Sequence, residues 1–376
     1  MLRTMVEKLP LRKIVQSLSL PAIVCFGNPL LDIVVTLDGD DLLEKYSLKV
    51  DGEVELSEEK IQDLLAHLPP EPNRRISPGG CAQNTLRIIQ WLFGGLNAPK
   101  IGIYCGGLGK DTRGSTLERM VEAENVNTKY ASHPTLSTGV CISLISGSSR
   151  SLIANLGAAA CYTVKDLKKS NLSLEGVKII YIEGFFVVHS LDVAKEIVEL
   201  TQDKNVIIAF NLSGEYIFEE HHDVICEMVG LAKIVFGNAR EMTALAKALD
   251  LKFRNVSDIP FLLNSSKRVT VGVSSATCTS NDWLTDNDIF VMTQGGSEPA
   301  IVVWGQGYSV QVQPESPKLP IVDTTGAGDS LVAGFLAGVL AKWDPKSCLE
   351  YGCKVAAMMI TRLGVTLPTD IPEDLL

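Results

Sequence analysis

The sequence predicts an α/β fold: a mostly parallel central sheet with helices on both faces and a small β lid over one edge. Three observations carry that prediction. Short, almost unbroken apolar runs read as strands covered on both sides, and amphipathic helical patterns lie between many of them. Two further pairs of segments break this rhythm and read as β-ribbons. With 376 residues, 46% of them hydrophobic, the chain can bury a large core in one big α/β domain or two smaller ones.

In chain order, the strand runs are 22–26, 100–105, 177–182, 206–210, 233–236, 289–293 and 300–304. The helical patterns are 83–93, 115–124, 191–201, 241–248 and 347–361, each with apolar residues recurring at helical spacing. The ribbons are 33–37 with 54–56, and 140–145 with 152–156, the second turning through Ser146-Gly147-Ser148-Ser149. The organisation expected is an N-terminal extension at 1–20 and a large α/β domain from 21–32, 78–128 and 157–376. A lid is expected from 33–77 and 129–156.

A formal net charge of −10 argues against a surface that neutralises nucleic-acid phosphates, so any bound anion is small and held locally. No apolar run approaches the ~20 residues of a membrane span. Nine cysteines, an odd number without a C-x-x-C pair, suggest buried thiols in a reducing compartment. The five histidines have no metal-binding spacing, so a metal, if used, is a hard cation carried with phosphate.

The most informative run is Asp323-Thr324-Thr325-Gly326-Ala327-Gly328-Asp329, leading into an apolar helix. Glycines flanking Ala327 let backbone N–H groups face an anion, and the helix adds the positive end of its dipole. A carboxylate there repels phosphate, so Asp329 is read as the base that takes a proton from an attacking hydroxyl. In parallel sheets ligands bind beyond the carboxyl ends of strands. There lie Asn28 and Asp32 after the first run, Glu183-Gly184 after the third, Asn211 after the fourth, and Asn238 with Glu241 after the fifth.

Gly79, Gly80 and Asn84, at the head of a helix, suit an acceptor alcohol, and Asp32 can accept from two vicinal hydroxyls, as on a sugar ring. Arg150, at the end of the lid hairpin, is a candidate to close on a transferring phosphoryl group. Asn238 and Glu241 share a helical face and could order the waters of Mg²⁺. Phe185 and Tyr216 follow rim loops, where they are either core aromatics or stacking partners for a base. Gly106 to Asp111 is not a phosphate-binding P-loop, because Tyr104 stands at its first glycine and Asp111 replaces the hydroxyl residue.

Taken in order, six motifs resemble the ribokinase-like (PfkB) superfamily and, within it, the adenosine kinases. They are Gly27-Asn28-Pro29-Leu30-Leu31-Asp32, Gly79-Gly80 with Gln83-Asn84, Arg150 to Leu156, Gly184-Phe185-Phe186, Phe236-Gly237-Asn238 with Glu241, and Asp323 to Asp329. The resemblance spans about Val24 to Leu363. It implies a ribokinase-like three-layer α/β/α sandwich and ATP- and Mg²⁺-dependent phosphorylation of the adenosine 5′-hydroxyl, yielding AMP and ADP in purine salvage. It also implies a monomer, in the cytoplasm or nucleus, without nucleic-acid or membrane partners.

By the same resemblance, Asp329 is the base, the amides of Gly326, Ala327 and Gly328 form the anion hole, and Arg150 closes on the phosphates. The nucleoside is held by Asn28, Asp32, Gly79, Gly80, Cys81, Asn84, Cys141, Leu152, Ala154 and Thr325, with Phe185 and Tyr216 flanking adenine. Thr293, Gln294 and Gly295 form the ATP-side loop beside Asn238, and Asn238 with Glu241 serve Mg²⁺ through water. The chain departs from the family pattern at Thr325, Leu331, Glu55, Cys81 and Glu183. Of these, Glu183 stands near the base pocket and, if buried there, must be solvated, protonated or matched to a different substrate; Glu183→Ala is expected to improve adenosine affinity if the carboxylate intrudes on that pocket and to leave it unchanged if it points elsewhere. Two competing readings are a kinase for another nucleoside or a sugar, and a non-catalytic nucleoside-binding paralogue.

Overall fold

The computed structural model describes residues 10–37, 41–46, 48, 53–69, 74–146, 149–202, 204–271, 283–284, 288–372 and 375; the side chains of 41, 53, 149, 150 and 268–271 fall outside that description. Its strands are β1 (Ile23–Phe26), β2 (Leu30–Leu37), β3 (Glu53–Glu55), β4 (Arg74–Gly79), β5 (Gly102–Gly109), β6 (Asn127–His133) and β7 (Thr138–Ser146). They continue with β8 (Ser149–Gly157), β9 (Ile179–Glu183), β10 (Ile207–Asn211), β11 (Ile234–Asn238), β12 (Ile289–Thr293), β13 (Ala300–Trp304) and β14 (Tyr308–Val312).

Nine strands form one sheet in the order β14-β13-β12-β11-β10-β9-β1-β5-β6. The pairs from β12 through β6 are parallel, and β13 and β14 add an antiparallel edge. Every residue of β1 and β9 is buried because helices cover both faces, which is why these strands read as unbroken apolar runs. Alternate residues enter opposite cores: Ile23, Cys25, Ile179 and Tyr181 pack on one side, Val24, Phe26, Ile180 and Ile182 on the other.

Three strands without an expected counterpart, β4, β6 and β14, are all sheet edges. They are partly exposed along most of their length, so no apolar run marks them. The second sheet has the order β3-β8-β7-β2-β4. Here the expected ribbon of 33–37 with 54–56 is corrected: β2 pairs with β4 and β7, while β3 pairs with β8. Alternating apolar residues mark a strand but do not select its partner. The β7–β8 hairpin forms as expected, although residues 147 and 148 of its turn lie outside the described residues. The small sheet begins at Leu30 and reaches Gly79, and β6 belongs to the large sheet, so these limits differ from the expected 33–77 and 129–156.

Residues 1–9 of the expected N-terminal extension lie outside the described part, and Leu11–Ile14 forms one helical turn with Leu11 buried in the core. The Cys81–Leu92 and Ala327–Leu340 helices pack against each other, buried from Ala82 and Asp329 onward to their ends. The latter also packs on the Pro345–Met359 helix at close range, since a Cβ on Gly334 would lie 2.8 Å from Gly352 Cα. Those glycines let two backbones approach, and the arrangement brings Asn84 to Asp329. Among the described residues no helix is long and apolar enough to cross a membrane.

Candidate active site

Strand order reverses at β1, whose neighbours are β5 and β9, and in open parallel sheets ligands bind beyond the strand ends at such a point. Around it stand Asn28 after β1, Glu183 closing β9, Asn211 closing β10, Asn238 closing β11 and Thr293 closing β12.

At the head of the Ala327–Leu340 helix, Asp323 fixes the anion loop. Its Oδ1 accepts from the N–H and hydroxyl of Thr325 at 2.9 and 2.6 Å, and its Oδ2 accepts from Gly364 N–H at 2.9 Å. Thr325, expected at the nucleoside, is thus bound into the turn. Gly326 caps the helix at φ 74°, where a Cβ would collide with Val365 Cγ2 at 2.2 Å. A Cβ on Gly328 would meet nothing within 4 Å, so the backbone there borders open space.

The expected trio of amides is reduced by one. Ala327 N–H donates to Thr324 O at 3.2 Å, whereas the N–H groups of Gly326, Gly328 and Asp329 have no protein acceptor among the described residues. The turn bond that closes the loop occupies the middle amide, and its neighbours remain available to an anion.

The Asp329 side chain is buried, with Oδ2 accepting from Asn84 Nδ2 at 3.0 Å. Burial pushes its pKa up to about 6 against the donors Asn84 and Cys81 and the positive charge of Arg87. The Cys81 thiol, expected at the nucleoside, instead hydrogen-bonds Asp329; burial and that carboxylate push its pKa well above the usual range, so it stays protonated. Behind Asn84, buried Arg87 donates to Asn84 Oδ1 at 2.9 Å and forks onto Glu124.

Sequence reasoning missed Arg87. Its position three residues after Asn84, on the same helical face, was the available signal.

Glu183 does not point into a base pocket. Only 1% exposed, it accepts from Asn28 N–H and Ala82 N–H, each at 2.6 Å, and joins β9 to the β1–β2 loop and to the start of the Cys81–Leu92 helix. Burial still outweighs those donors and pushes its pKa up to about 8. Asn28 Nδ2 donates to Phe185 O at 2.9 Å, leaving buried Asn28 Oδ1 without a partner among the described residues. Gly80, at φ 94°, lies so close to Asn28 that a Cβ would sit 2.2 Å from its carbonyl oxygen. The Asp32 carboxylate lies over Gly79, where a Cβ would be 1.9 Å from Oδ1.

Register sets the lid face. Asp32 stands beside Cys141, Cys141 beside Ala154, and Ala154 beside Glu55, with Leu152 two residues along β8. Their neighbours Ile33, Ile142 and Ile153 point the other way, into the core. Arg150 lies opposite Ile145 in the β7–β8 ladder, and its side chain is outside the described part. Phe185 and Tyr216 do not bracket a gap: their rings stack on each other at 5.9 Å and 27°, forming one platform with Tyr216 57% exposed.

On the other side, Thr293 pairs with Asn238 across β11 and β12, Gln294 Nε2 donates to Pro299 O at 2.8 Å, and Gly295 turns at φ 75°. Asn238 and Glu241 form a capping box. Asn238 Oδ1 accepts from Arg240 N–H and Glu241 N–H, and Glu241 accepts from Asn238 N–H and Nδ2 at 2.9 and 2.7 Å. Burial, with Glu215 and Asp329 nearby, pushes Glu241 up to about 7. Direct coordination would break this box, so the pair fits a divalent cation only through the cation's water shell. Among the described residues no three His, Cys, Asp or Glu side chains cluster to hold a metal.

Residues 52–372 match the family described as pfkB family carbohydrate kinase. Adenosine kinase 2 of Arabidopsis thaliana is 32% identical over 344 residues, 91% of this chain and 94% of that protein. The adenosine kinase of Saccharomyces cerevisiae is 29% identical over 352 residues, covering 93% and 97%. Among solved structures, the fold is similar to Schistosoma mansoni adenosine kinase in complex with adenosine and AMP, with TM-score 0.76, 25% identity and coverage of 94% and 99%. The Anopheles gambiae adenosine kinase bound to P1,P4-di(adenosine-5) tetraphosphate gives TM-score 0.76 at 27% identity, covering 92% and 97%.

Proposed function

The chain belongs to the pfkB family of carbohydrate kinases, and within it we propose that it transfers the γ-phosphoryl group of ATP to the 5′-hydroxyl of adenosine. One observation carries this reading: Asp329, buried and held by Asn84, stands at the head of a helix whose neighbouring amides face no protein acceptor. A binding protein gains nothing from a carboxylate beside an anion hole.

In this mechanism the ribose lies between Asp32, the Gly79-Gly80 turn and Asn28 Oδ1, and its 5′-hydroxyl points at Asp329. With a pKa near 6, Asp329 is ionised at neutral pH yet basic enough to take the proton as the bond to phosphorus forms. The amides of Gly326, Gly328 and Asp329 stabilise the negative charge on the transferring group. Adenine stacks on the outer surface of the Phe185–Tyr216 platform. ATP would lie toward Thr293, Gln294 and Gly295, and Asn238 with Glu241 would hold the water shell of Mg²⁺. When bound, the cation screens charge on the phosphates.

The test is purified protein with ATP and Mg²⁺ against adenosine, inosine, guanosine, cytidine and ribose. Adenosine is expected to have the highest kcat/KM, with AMP as product. A preference for another acceptor would move the assignment within the family.

A further inference from the structure

We propose that Arg87 is a positioning residue for phosphoryl transfer: its guanidinium fixes which end of the Asn84 amide faces Asp329, and it ties the ribose turn and the anion loop to the same point. This rests on Asp329 acting as the base. Arg87 is 1% exposed. Its Nη1 donates to Asn84 Oδ1 and to Pro78 O, both at 2.9 Å, and Nη2 donates to Val365 O at 3.1 Å. Nε and Nη2 donate to the Glu124 carboxylate at 2.5 and 2.8 Å, which fixes the plane of the fork.

Two of these partners border different parts of the site. Pro78 precedes the Gly79-Gly80 turn, and Val365 is the residue against which Gly326 packs.

The chemical consequence lies in the amide. A guanidinium only donates, so the end of Asn84 that meets Arg87 must be its carbonyl oxygen, and the end that meets Asp329 must be its NH₂. A carboxylate can accept from that NH₂, which favours the ionised base. Without Arg87, Asn84 is free to rotate and offer its oxygen to Asp329 instead, an arrangement that only a protonated carboxyl satisfies. The other ionisable groups around Asp329 are Cys81 at the start of the Cys81–Leu92 helix, Tyr181 and Glu183 on β9, and Glu241 beyond β11. None of them is a cation, so with Arg87 gone only the Cys81 thiol among these groups still favours the charged form.

The experiment follows the Asp329 carboxyl by ¹³C NMR titration, assigned with Asp329→Asn, in wild type, Arg87→Met and Arg87→Lys, alongside kcat against pH with adenosine. In Arg87→Met the carboxyl is expected to titrate at least about 0.5 pH unit higher than in wild type. Its kcat at pH 6.5 should fall about 100-fold, of which about a two- to threefold part, the part due to the titration shift, recovers at pH 8.5, with KM changed far less. Arg87→Lys, which keeps a charged donor for Asn84, should restore most of the activity and the wild-type titration.

A folded Arg87→Met protein with an unshifted carboxyl overturns the proposal whatever its melting temperature. If that variant does not fold, Glu124→Gln is read in its place: a larger kcat loss at pH 6.5 than at pH 8.5 supports the role, and an equal loss or none overturns it. Wild-type protein that transfers no phosphate to adenosine counts against the kinase reading alone, because the carboxyl titration needs no turnover.

Discussion

The two walls of the cleft are built differently. On the large-sheet side the functional groups are locked by protein partners: Asp329 by Asn84 and Cys81, Asn84 by Arg87, Arg87 by Glu124, and the Asn28 loop by Glu183. On the small-sheet side, Asp32, Cys141, Ala154 and Leu152 form a half-buried row whose position is set by strand register. In the proposed mechanism the chemistry sits on the large-sheet wall and the small-sheet wall covers the sugar. Substitutions on the first wall should disturb turnover or stability, and those on the second mainly KM.

The largest expected effect is Asp329→Asn, which should lower kcat by about 10²–10⁴-fold while adenosine still binds by calorimetry. A kcat within tenfold of wild type would break the assignment of chemistry to this wall. Next comes Glu183→Ala, which leaves the buried N–H groups of Asn28 and Ala82 without acceptors. Each orphaned donor costs about 1–3 kcal/mol in urea unfolding, and KM for adenosine should rise about tenfold as the Asn28 loop loosens. An intruding Glu183 would instead give an affinity gain, and better adenosine binding in the variant would restore that alternative.

On the lid wall, Ala154→Leu should raise KM several-fold with unfolding free energy within about 0.5 kcal/mol of wild type. A kcat collapse there would erase the contrast between the walls.

The smallest effect is on stability against pH. Folding raises Asp329 from 3.8 to about 6, Glu241 from 4.5 to about 7 and Glu183 from 4.5 to about 8. Over pH 5 to 8 the native state therefore holds more protons than the unfolded chain, and stability falls as pH rises through these values. In Asp329→Asn the decline between pH 5 and 6.5 should be shallower in thermal melts. Parallel curves for the two proteins would mean that burial leaves Asp329 unshifted.

Legibility in the sequence followed the same division. The central strands announced themselves because both faces are buried, and the polar residues at their ends marked the rim. Edge strands β4, β6 and β14 were silent because they border solvent, and the partner of β2 was misread because a strand's pattern does not name its neighbour. At the site, Asp329, Asn84 and the glycines drew attention because each residue type is tied to a task, and the fold brings Asn84 to Asp329. For Glu183 the sequence left open whether it intrudes on the base pocket, because the two amides that a lone carboxylate accepts from are not visible in sequence. Glu124 gave no signal, because its pairing with Arg87 crosses 37 positions and arises only when two helices meet. Arg150 carries an expectation that the described side chains do not address.

The most direct test of the account is kcat/KM for adenosine against pH in the wild-type protein, since that ratio reports the free enzyme's base. An acidic limb near pH 6, absent from the residual activity of Asp329→Asn, is the predicted result. A ratio that stays level from pH 5 to 8, or a limb that survives in Asp329→Asn, would contradict it.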